Sequence, residues 1–133
     1  MGFLQAVLMD VGDTLVQEET QEIDAAGLAR RARLVDGMAE VVTRLRARGI
    51  PLALVSNARR GNAERVLGEH GLLEAFPVRA ISEELGVEKP DPLIFTWALE
   101  RLGIPQDRWD RVVMVGNQLA ADVAGAARLG LVT

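Results

Sequence analysis

The segment FLQAVLMDVGDTL (residues 3–15) carries the pattern that decides the fold, an apolar run that ends at an acidic residue. The same design returns in IPLALVSN (50–57) and RVVMVGN (111–117), where apolar residues again give way to polar ones. Short apolar runs that alternate with segments of helical period are typical of a parallel sheet covered by helices. We therefore predict an α/β fold, a Rossmann-like three-layer sandwich with a mostly parallel sheet.

The pattern also predicts the individual elements. Strands are expected at 3–9, 50–56, 78–82 and 111–116, and helices at 36–49, 62–72, 91–103 and 118–130, with a further strand beginning at 131–133. Asp91 is the expected N-cap of the third helix, because Pro92 follows it in the first turn, where proline fits best. Residues 16–35 are polar, partly helical in pattern and too few for an independent domain. We expect one domain over residues 1–133, with 16–35 as a short flap.

Composition limits the classes of function. About half of the 133 residues are apolar (49%) and 26% are charged, as in globular proteins. The net charge of −4 and the lack of a basic stripe argue against nucleic-acid partners. The absence of cysteine excludes disulfides and thiolate metal sites. The first residues lack the basic start of a signal peptide, and no run approaches the roughly 18 apolar residues of a membrane span, so we expect a cytoplasmic protein without membrane contact.

Polar residues follow the predicted strands at the edge where open α/β sheets bind ligands. The residues expected there are Asp10, Ser56, Asn57, Lys89, Asn117 and Asp122. Carboxylates suit a hard cation such as Mg²⁺, whereas a hydroxyl and an ammonium group suit phosphate oxygens. Lys89 is the only lysine among 15 basic residues, and it lies in the loop that leads into the predicted helix at 91–103. The sequence therefore predicts a site for a phosphoryl group bound with Mg²⁺.

Four segments resemble, in the same order, the four motifs of the haloacid dehalogenase (HAD) superfamily. DVGDTL (10–15) is similar to the DxDGT motif, and LALVSN (52–57) to the strand that ends in Ser or Thr. EKPDPLIF (88–95) resembles the Lys-Pro motif, and VVMVGNQLAADVAGAARLGL (112–131) the GDxxxxD motif. The resemblance spans nearly the whole chain. It implies the HAD fold and a Mg²⁺-dependent phosphohydrolase that forms an aspartyl-phosphate.

The resemblance also implies a role for each matching residue. Asp10 would be the nucleophile that attacks phosphorus, and Lys89 would neutralise charge between Asp10 and the phosphate. Ser56 would hydrogen-bond the phosphoryl group, with the amide of Asn57 nearby. Thr14 would brace the loop.

The implied metal ligands are Asp10, the carbonyl of Gly12, Asn117 and Asp122, and two of them depart from the family pattern. Gly12 stands where the family has its acid/base Asp. General acid–base catalysis raises a reaction rate by about 10²–10⁴-fold, so substrates with poor leaving groups should react slowly without it. Asn117 replaces an Asp and brings oxygen without charge, so Mg²⁺ affinity should fall. Asp13 is a displaced substitute only in principle, because its side chain is expected to point away.

The short flap at 16–35 also bears on substrates. Many HAD members insert a cap domain between the first two motifs, and the flap is too small to be one. An open site suits a phosphorylated small molecule, a larger phosphorylated substrate or a partner that acts as a lid. The sequence leaves homo-oligomerisation open.

Three other functions compete with the phosphohydrolase. A non-catalytic HAD-like domain that binds phosphate, metal or a partner would explain Gly12 and Asn117 as residues that mark a loss of catalytic function. A receiver-like signalling domain is disfavoured by motif order, because Asp10 comes first and Lys89 precedes the fourth strand. A dehalogenase would need a closed apolar pocket. Taken singly, Lys89 could be a surface lysine, and Asp122 could merely favour the start of a helix.

Overall fold

The computed structural model describes residues 4–133, so residue 3 of the first predicted strand lies outside the described part. Its main sheet is built from the strands β1 (Ala6–Met9), β4 (Leu52–Ser56), β5 (Val78–Ile81) and β6 (Val112–Val115). The four strands are parallel and lie in the order β5-β4-β1-β6. Each lies within a predicted strand. The mostly parallel α/β sheet predicted from the sequence is confirmed.

β1 lies in the interior of this sheet, and the chain extends the sheet from it in both directions. Val7 of β1 pairs with Leu52 on one side and with Val113 on the other. The carboxyl end of β1 is therefore a point where strand order reverses, and such points are where open α/β sheets bind ligands. Asp10 follows directly.

Helices cover both faces of the sheet. They are α1 (Met38–Ala47), α2 (Arg60–Glu69), α3 (Ser82–Leu85), α4 (Pro92–Leu102) and α5 (Gly125–Ala127). Successive residues of a strand point to opposite faces, and the core divides accordingly. Met9 belongs to the cluster that includes Val42 and Leu67, whereas Leu8 belongs to the cluster that includes Phe95. The three layers are confirmed.

The predicted start of α4 is confirmed in its details. Asp91 is the N-cap, and its Oδ1 accepts a hydrogen bond from the main-chain nitrogen of Leu93 at 2.9 Å. Pro92 occupies the first position of the helix. This start fixes the loop that carries Lys89.

Residues 16–35, expected as a polar, partly helical flap, form a short ordered insert. A 3₁₀ turn (Glu18–Thr20) leads into an antiparallel pair, β2 (Glu22–Ile23) and β3 (Ala29–Arg31). We call residues 22–31 the rim hairpin. Contacts with α2 stabilise it: Ala29 donates its main-chain N–H to Asn62 Oδ1 at 2.9 Å, and Arg65 forms an ion pair with Asp24 at 2.7 Å.

The carboxy-terminal part also differs from the prediction. The predicted helix at 118–130 begins with a π-helical segment, Leu119–Ala124, before α5. The expected strand at 131–133 is a single bridge, in which the main-chain N–H of Val132 donates to the Val112 carbonyl at 2.9 Å.

Within residues 4–133, no helix has both the length and the apolar character needed to cross a bilayer.

Candidate active site

A buried lysine lies between two buried carboxylates at the carboxyl edge of the sheet. Lys89 Nζ is 2.8 Å from Asp10 Oδ1 and 2.6 Å from Asp122 Oδ1. Lys89 is 5% exposed, Asp10 8% and Asp122 1%, so all three have left bulk water. The predicted meeting of these residues therefore exists in the structure, and the alternative of a surface lysine is wrong.

The loop before α4 delivers Lys89 to this place through Asn57. The main-chain N–H of Lys89 donates to Asn57 Oδ1 at 2.8 Å, and Asn57 Nδ2 donates to the carbonyl of Lys89 at 3.2 Å. Both ends of the Asn57 amide are thus engaged with the Lys89 main chain. The side chain of Asn57 therefore positions Lys89. Asn57 also lines the cavity beside Asp10, so its expected place near a bound phosphoryl group stays a prediction.

Ser56 ends β4 next to the same site. Its side chain is 1% exposed, and its Oγ accepts a hydrogen bond from the main-chain nitrogen of Ala58 at 3.0 Å. This bond fixes the oxygen, and the hydroxyl proton can still turn toward a ligand. The geometry suits the role expected of Ser56.

The Oγ1 of Thr14 is buried, and among residues 4–133 it finds no hydrogen-bond partner. Main-chain bonds hold the loop, because the Val11 carbonyl accepts from Thr14 at 3.3 Å, from Leu15 at 2.9 Å and from Val16 at 3.1 Å. A bracing role for the Thr14 side chain stays a prediction. Asp13, with φ of 54°, completes the turn and donates its N–H to the Val16 carbonyl at 2.6 Å.

Oxygen atoms gather on the far side of the Asp10 carboxylate from Lys89. The side-chain amide of Asn117 lies 3.0 Å from Asp10 Oδ2 and 3.3 Å from the carbonyl oxygen of Gly12. With its nitrogen inward the amide donates to both oxygens, and with its oxygen inward it makes a third oxygen in the group. Oxygen ligands of this kind suit Mg²⁺, so these residues fit the metal that the sequence predicts.

The part of the chain from 4 to 133 holds no cluster of three His, Cys, Asp or Glu side chains arranged for a metal. A cation here would therefore depend on the amide and the main-chain carbonyl. Asp122 lies on the Lys89 side, where Oδ1 accepts from Lys89 and Oδ2 accepts from the main-chain nitrogen of Gln118 at 3.0 Å. A side chain on Gly116 would overlap the Asp122 carboxyl, so this glycine allows the close approach. The metal role expected of Asp122 stays a prediction.

The electrostatics of the site favour a further cation. Burial raises the pKa of Asp10, Lys89 opposes this rise, and the negative charge of Asp122 adds to it. When both carboxyl groups are ionised, they and the one ammonium group leave one net negative charge in a site shielded from water. Such a charge is costly unless it is paired.

The cavity above these groups has a volume of about 200 Å³ and is lined by Asp10, Gly12, Glu18, Ser56, Lys89 and Asn117 among others. Pockets that enclose a whole drug-sized ligand usually measure about 300–1,000 Å³. This one fits a phosphoryl group, with the rest of a ligand outside.

Sequence reasoning missed Glu18, because it stands beside Glu19 in a polar segment and no pattern separates the two.

Comparison with known proteins gives the family. The family of haloacid dehalogenase-like hydrolases matches residues 4–130. The pyrimidine 5′-nucleotidase YjjG of Escherichia coli is 40% identical over 113 residues, which cover 74% of this chain and 47% of that protein. A glyceraldehyde 3-phosphate phosphatase of Methanopyrus kandleri is 39% identical over 89 residues, which cover 67% of this chain and 37% of that protein. The chain thus spans half or less of the length of these relatives.

Solved structures share the fold. The HAD phosphatase from Thermococcus onnurineus superposes with a TM-score of 0.80 at 20% identity, over 96% of this chain and 83% of that one. The HAD-hydrolase YfnB from Bacillus subtilis gives a TM-score of 0.78 at 18% identity, over 97% and 86% of the two chains. With the four motif segments now seen at one edge of the sheet, the chain belongs to the haloacid dehalogenase-like hydrolases.

Proposed function

We propose that the chain is a phosphohydrolase that removes a phosphoryl group from a phosphate monoester, with Asp10 as the nucleophile and Mg²⁺ as the cofactor. The observation that carries the proposal is the buried ammonium group of Lys89, 2.8 Å from Asp10 on the floor of the cavity. A positive charge there favours the ionised form of Asp10, which is the form that attacks. It also attracts the oxygens of a phosphoryl group.

The reaction takes place in two steps. A carboxylate oxygen of Asp10 forms a bond to phosphorus while the ester bond to the leaving oxygen breaks, and water then attacks phosphorus and releases Asp10. Ser56 and Lys89 hold phosphoryl oxygens, and Asn57 and Asp122 hold Lys89. Mg²⁺ would be held by Asp10, the carbonyl of Gly12 and Asn117, with Asp122 as the further predicted ligand, and when bound it supplies charge neutralisation for the transferring group.

Substrates are proposed only as a class. The named relatives act on a pyrimidine nucleotide and on glyceraldehyde 3-phosphate, which are both phosphate monoesters. Because residues 16–35 form a small hairpin rather than a cap domain, the leaving group would extend into solvent. Phosphorylated small molecules and larger phosphorylated substrates both fit. The single-domain organisation, the cytoplasmic location and any self-association stay predictions.

The test is hydrolysis of an activated aryl phosphate with Mg²⁺ and after its removal by a chelator. Asp10→Asn should reduce turnover to background, whereas the exposed control Asp107→Asn should retain it. Unchanged turnover in Asp10→Asn would reject the nucleophile.

A non-catalytic binding domain is the second candidate, and Gly12 and Asn117 favour it because each lacks a carboxylate of the family pattern. It predicts no turnover on a broad panel of phosphate esters. Inorganic phosphate or Mg²⁺ would nevertheless raise the melting temperature, and Lys89→Met would remove the rise due to phosphate.

A further inference from the structure

We propose that Glu18 is the general acid and base of the reaction, in place of the side chain that Gly12 lacks. This inference rests on the proposed function. A Cβ built on Gly12 would overlap Oε1 of Glu18, and it would lie 2.6 Å from Cδ and 3.0 Å from Cγ of that residue. The Glu18 carboxyl group therefore occupies the space in which a side chain at position 12 would begin.

Glu18 also faces the reacting groups. It lines the same cavity as Asp10, Ser56 and Lys89, which puts a carboxyl group at the wall of the phosphoryl site. Floor and wall differ in exposure, since Lys89 is buried and Glu18 is exposed. Because Glu18 lines the cavity and is exposed to solvent, its carboxyl is open both to a ligand in the cavity and to entering water.

Local hydrogen bonds hold Glu18 at this position. Its main-chain N–H donates to Asp13 Oδ1 at 3.0 Å, so the Asp13 carboxylate, which also lines the cavity, holds the start of the 3₁₀ turn. Gln17 ties the turn to the segment that follows the rim hairpin, because its main-chain N–H donates to the Arg33 carbonyl at 2.8 Å and its Nε2 to the Leu34 carbonyl at 2.9 Å. The turn that carries the Glu18 carboxyl group is therefore held in place.

The proton transfers balance over the cycle. As the Asp10–phosphorus bond forms and the ester bond breaks, the carboxylic acid of Glu18 gives its proton to the leaving oxygen. The resulting Glu18 carboxylate then takes a proton from water, whose oxygen bonds to phosphorus as the Asp10–phosphorus bond breaks. Asp10 returns to its carboxylate, Glu18 returns to its acid, and the products are an alcohol and phosphate.

The experiment compares Glu18→Gln with the neighbouring control Glu19→Gln, both saturated with Mg²⁺, on a series of esters from activated aryl to alkyl phosphates. A good leaving group needs no proton, so Glu18→Gln should lower kcat/KM little on aryl esters and by about 10²-fold or more on alkyl esters. Glu19→Gln should match the wild type on every ester.

A second pair of variants tests whether position 12 can take over. Glu18→Ala clears the space above Gly12, and the double variant Gly12→Asp/Glu18→Ala should recover alkyl phosphate hydrolysis that Glu18→Ala loses. A rescue on alkyl phosphates, in a Glu18→Ala background that keeps its aryl phosphate hydrolysis, distinguishes loss of the acid from a structural role. A double variant no better than Glu18→Ala on alkyl phosphates would contradict the exchange.

The outcomes separate the two proposals. If Asp10-dependent hydrolysis is present and Glu18→Gln equals the wild type, or loses the same factor on all esters, the inference about Glu18 fails and the nucleophile stands. If the wild type shows no Asp10-dependent hydrolysis, the proposed function fails and the inference fails with it.

Discussion

The floor and the rim of the cavity position their charges by different means. On the floor, Lys89 and Asp122 are 5% and 1% exposed, and they contact each other at 2.6 Å. On the rim, Glu18 is exposed. The hairpin that follows it in the chain lies outside the cavity lining and is held partly by the ion pair of Arg65 and Asp24, whose side chains are 49% and 21% exposed. Loss of one floor charge leaves another buried without a partner, whereas water replaces a lost rim partner. A residue on the rim can therefore supply a missing charged group, such as the acid that position 12 lacks, at a low cost in stability.

The largest effect is expected from Lys89→Met on the floor. It leaves the Asp10 and Asp122 carboxylates buried together without a counter-charge, and breaking a buried pair in this way costs about 3–5 kcal/mol. We expect turnover at background and a lower free energy of unfolding in urea.

The matched control for that change is Arg44→Met. Arg44 forms an exposed ion pair with Glu40 at 2.6 Å, and such pairs contribute about 0.3–0.5 kcal/mol on helices. Equal stability losses in the two variants would contradict the view that the buried charges of the floor depend on their partners more than exposed charges do.

Asn117→Asp should have the next largest effect, a change in melting temperature whose sign depends on whether Mg²⁺ is bound. A carboxylate there would face Asp10 Oδ2 and the Gly12 carbonyl, so it should lower the melting temperature without the metal. With Mg²⁺ the added charge should lower the half-saturating concentration on the order of tenfold. The same shift in melting temperature with and without Mg²⁺ would place the cation elsewhere.

Gly12→Asp in the otherwise unchanged chain should have a small effect, at most about tenfold in kcat/KM. The new side chain must displace the Glu18 carboxyl, so one acid is exchanged for another. We expect the gain on alkyl phosphates to exceed the gain on aryl phosphates. A gain of about 10²-fold or more would mean that Glu18 contributes nothing before the change.

The smallest effect is expected in how the stability of the rim hairpin depends on pH. The main-chain N–H of Leu28 lowers the pKa of Asp24, and Arg65 lowers it further. A pKa below its value of about 3.9 in the unfolded chain means stability that is present above that pH and lost as pH falls through the folded value. The difference in melting temperature between wild type and Asp24→Asn should shrink from about pH 7 to about pH 3. A constant difference would show that the charge of Asp24 does not stabilise the hairpin.

The sheet and the floor of the cavity were predictable from local pattern. Apolar runs that end in polar residues locate strands and their carboxyl ends, and parallel strands bring Asp10, Ser56 and Asn117 to one edge whatever the details of packing. The pattern located residues but not their partners. Asn57 binds the main chain of Lys89, and the hydroxyl of Thr14 meets no partner among residues 4–133.

The rim was not predictable for a different reason. β2 and β3 are very short, and they depend on contacts with α2, 33 residues further along in the case of Ala29 and Asn62. The importance of Glu18 lies in its nearness to Gly12, which only the turn at Asp13 creates. Tertiary contacts of this kind leave no periodicity in the sequence.

The most direct test of the account is to search for a phosphoryl group on Asp10. The protein would be mixed with an aryl phosphate and Mg²⁺, quenched with acid during turnover, digested and examined by mass spectrometry. The account predicts one phosphoryl group on the peptide that contains Asp10, and none in Asp10→Asn. Rapid hydrolysis with no phosphoryl group on that peptide at any time, or hydrolysis that survives Asp10→Asn, would contradict it.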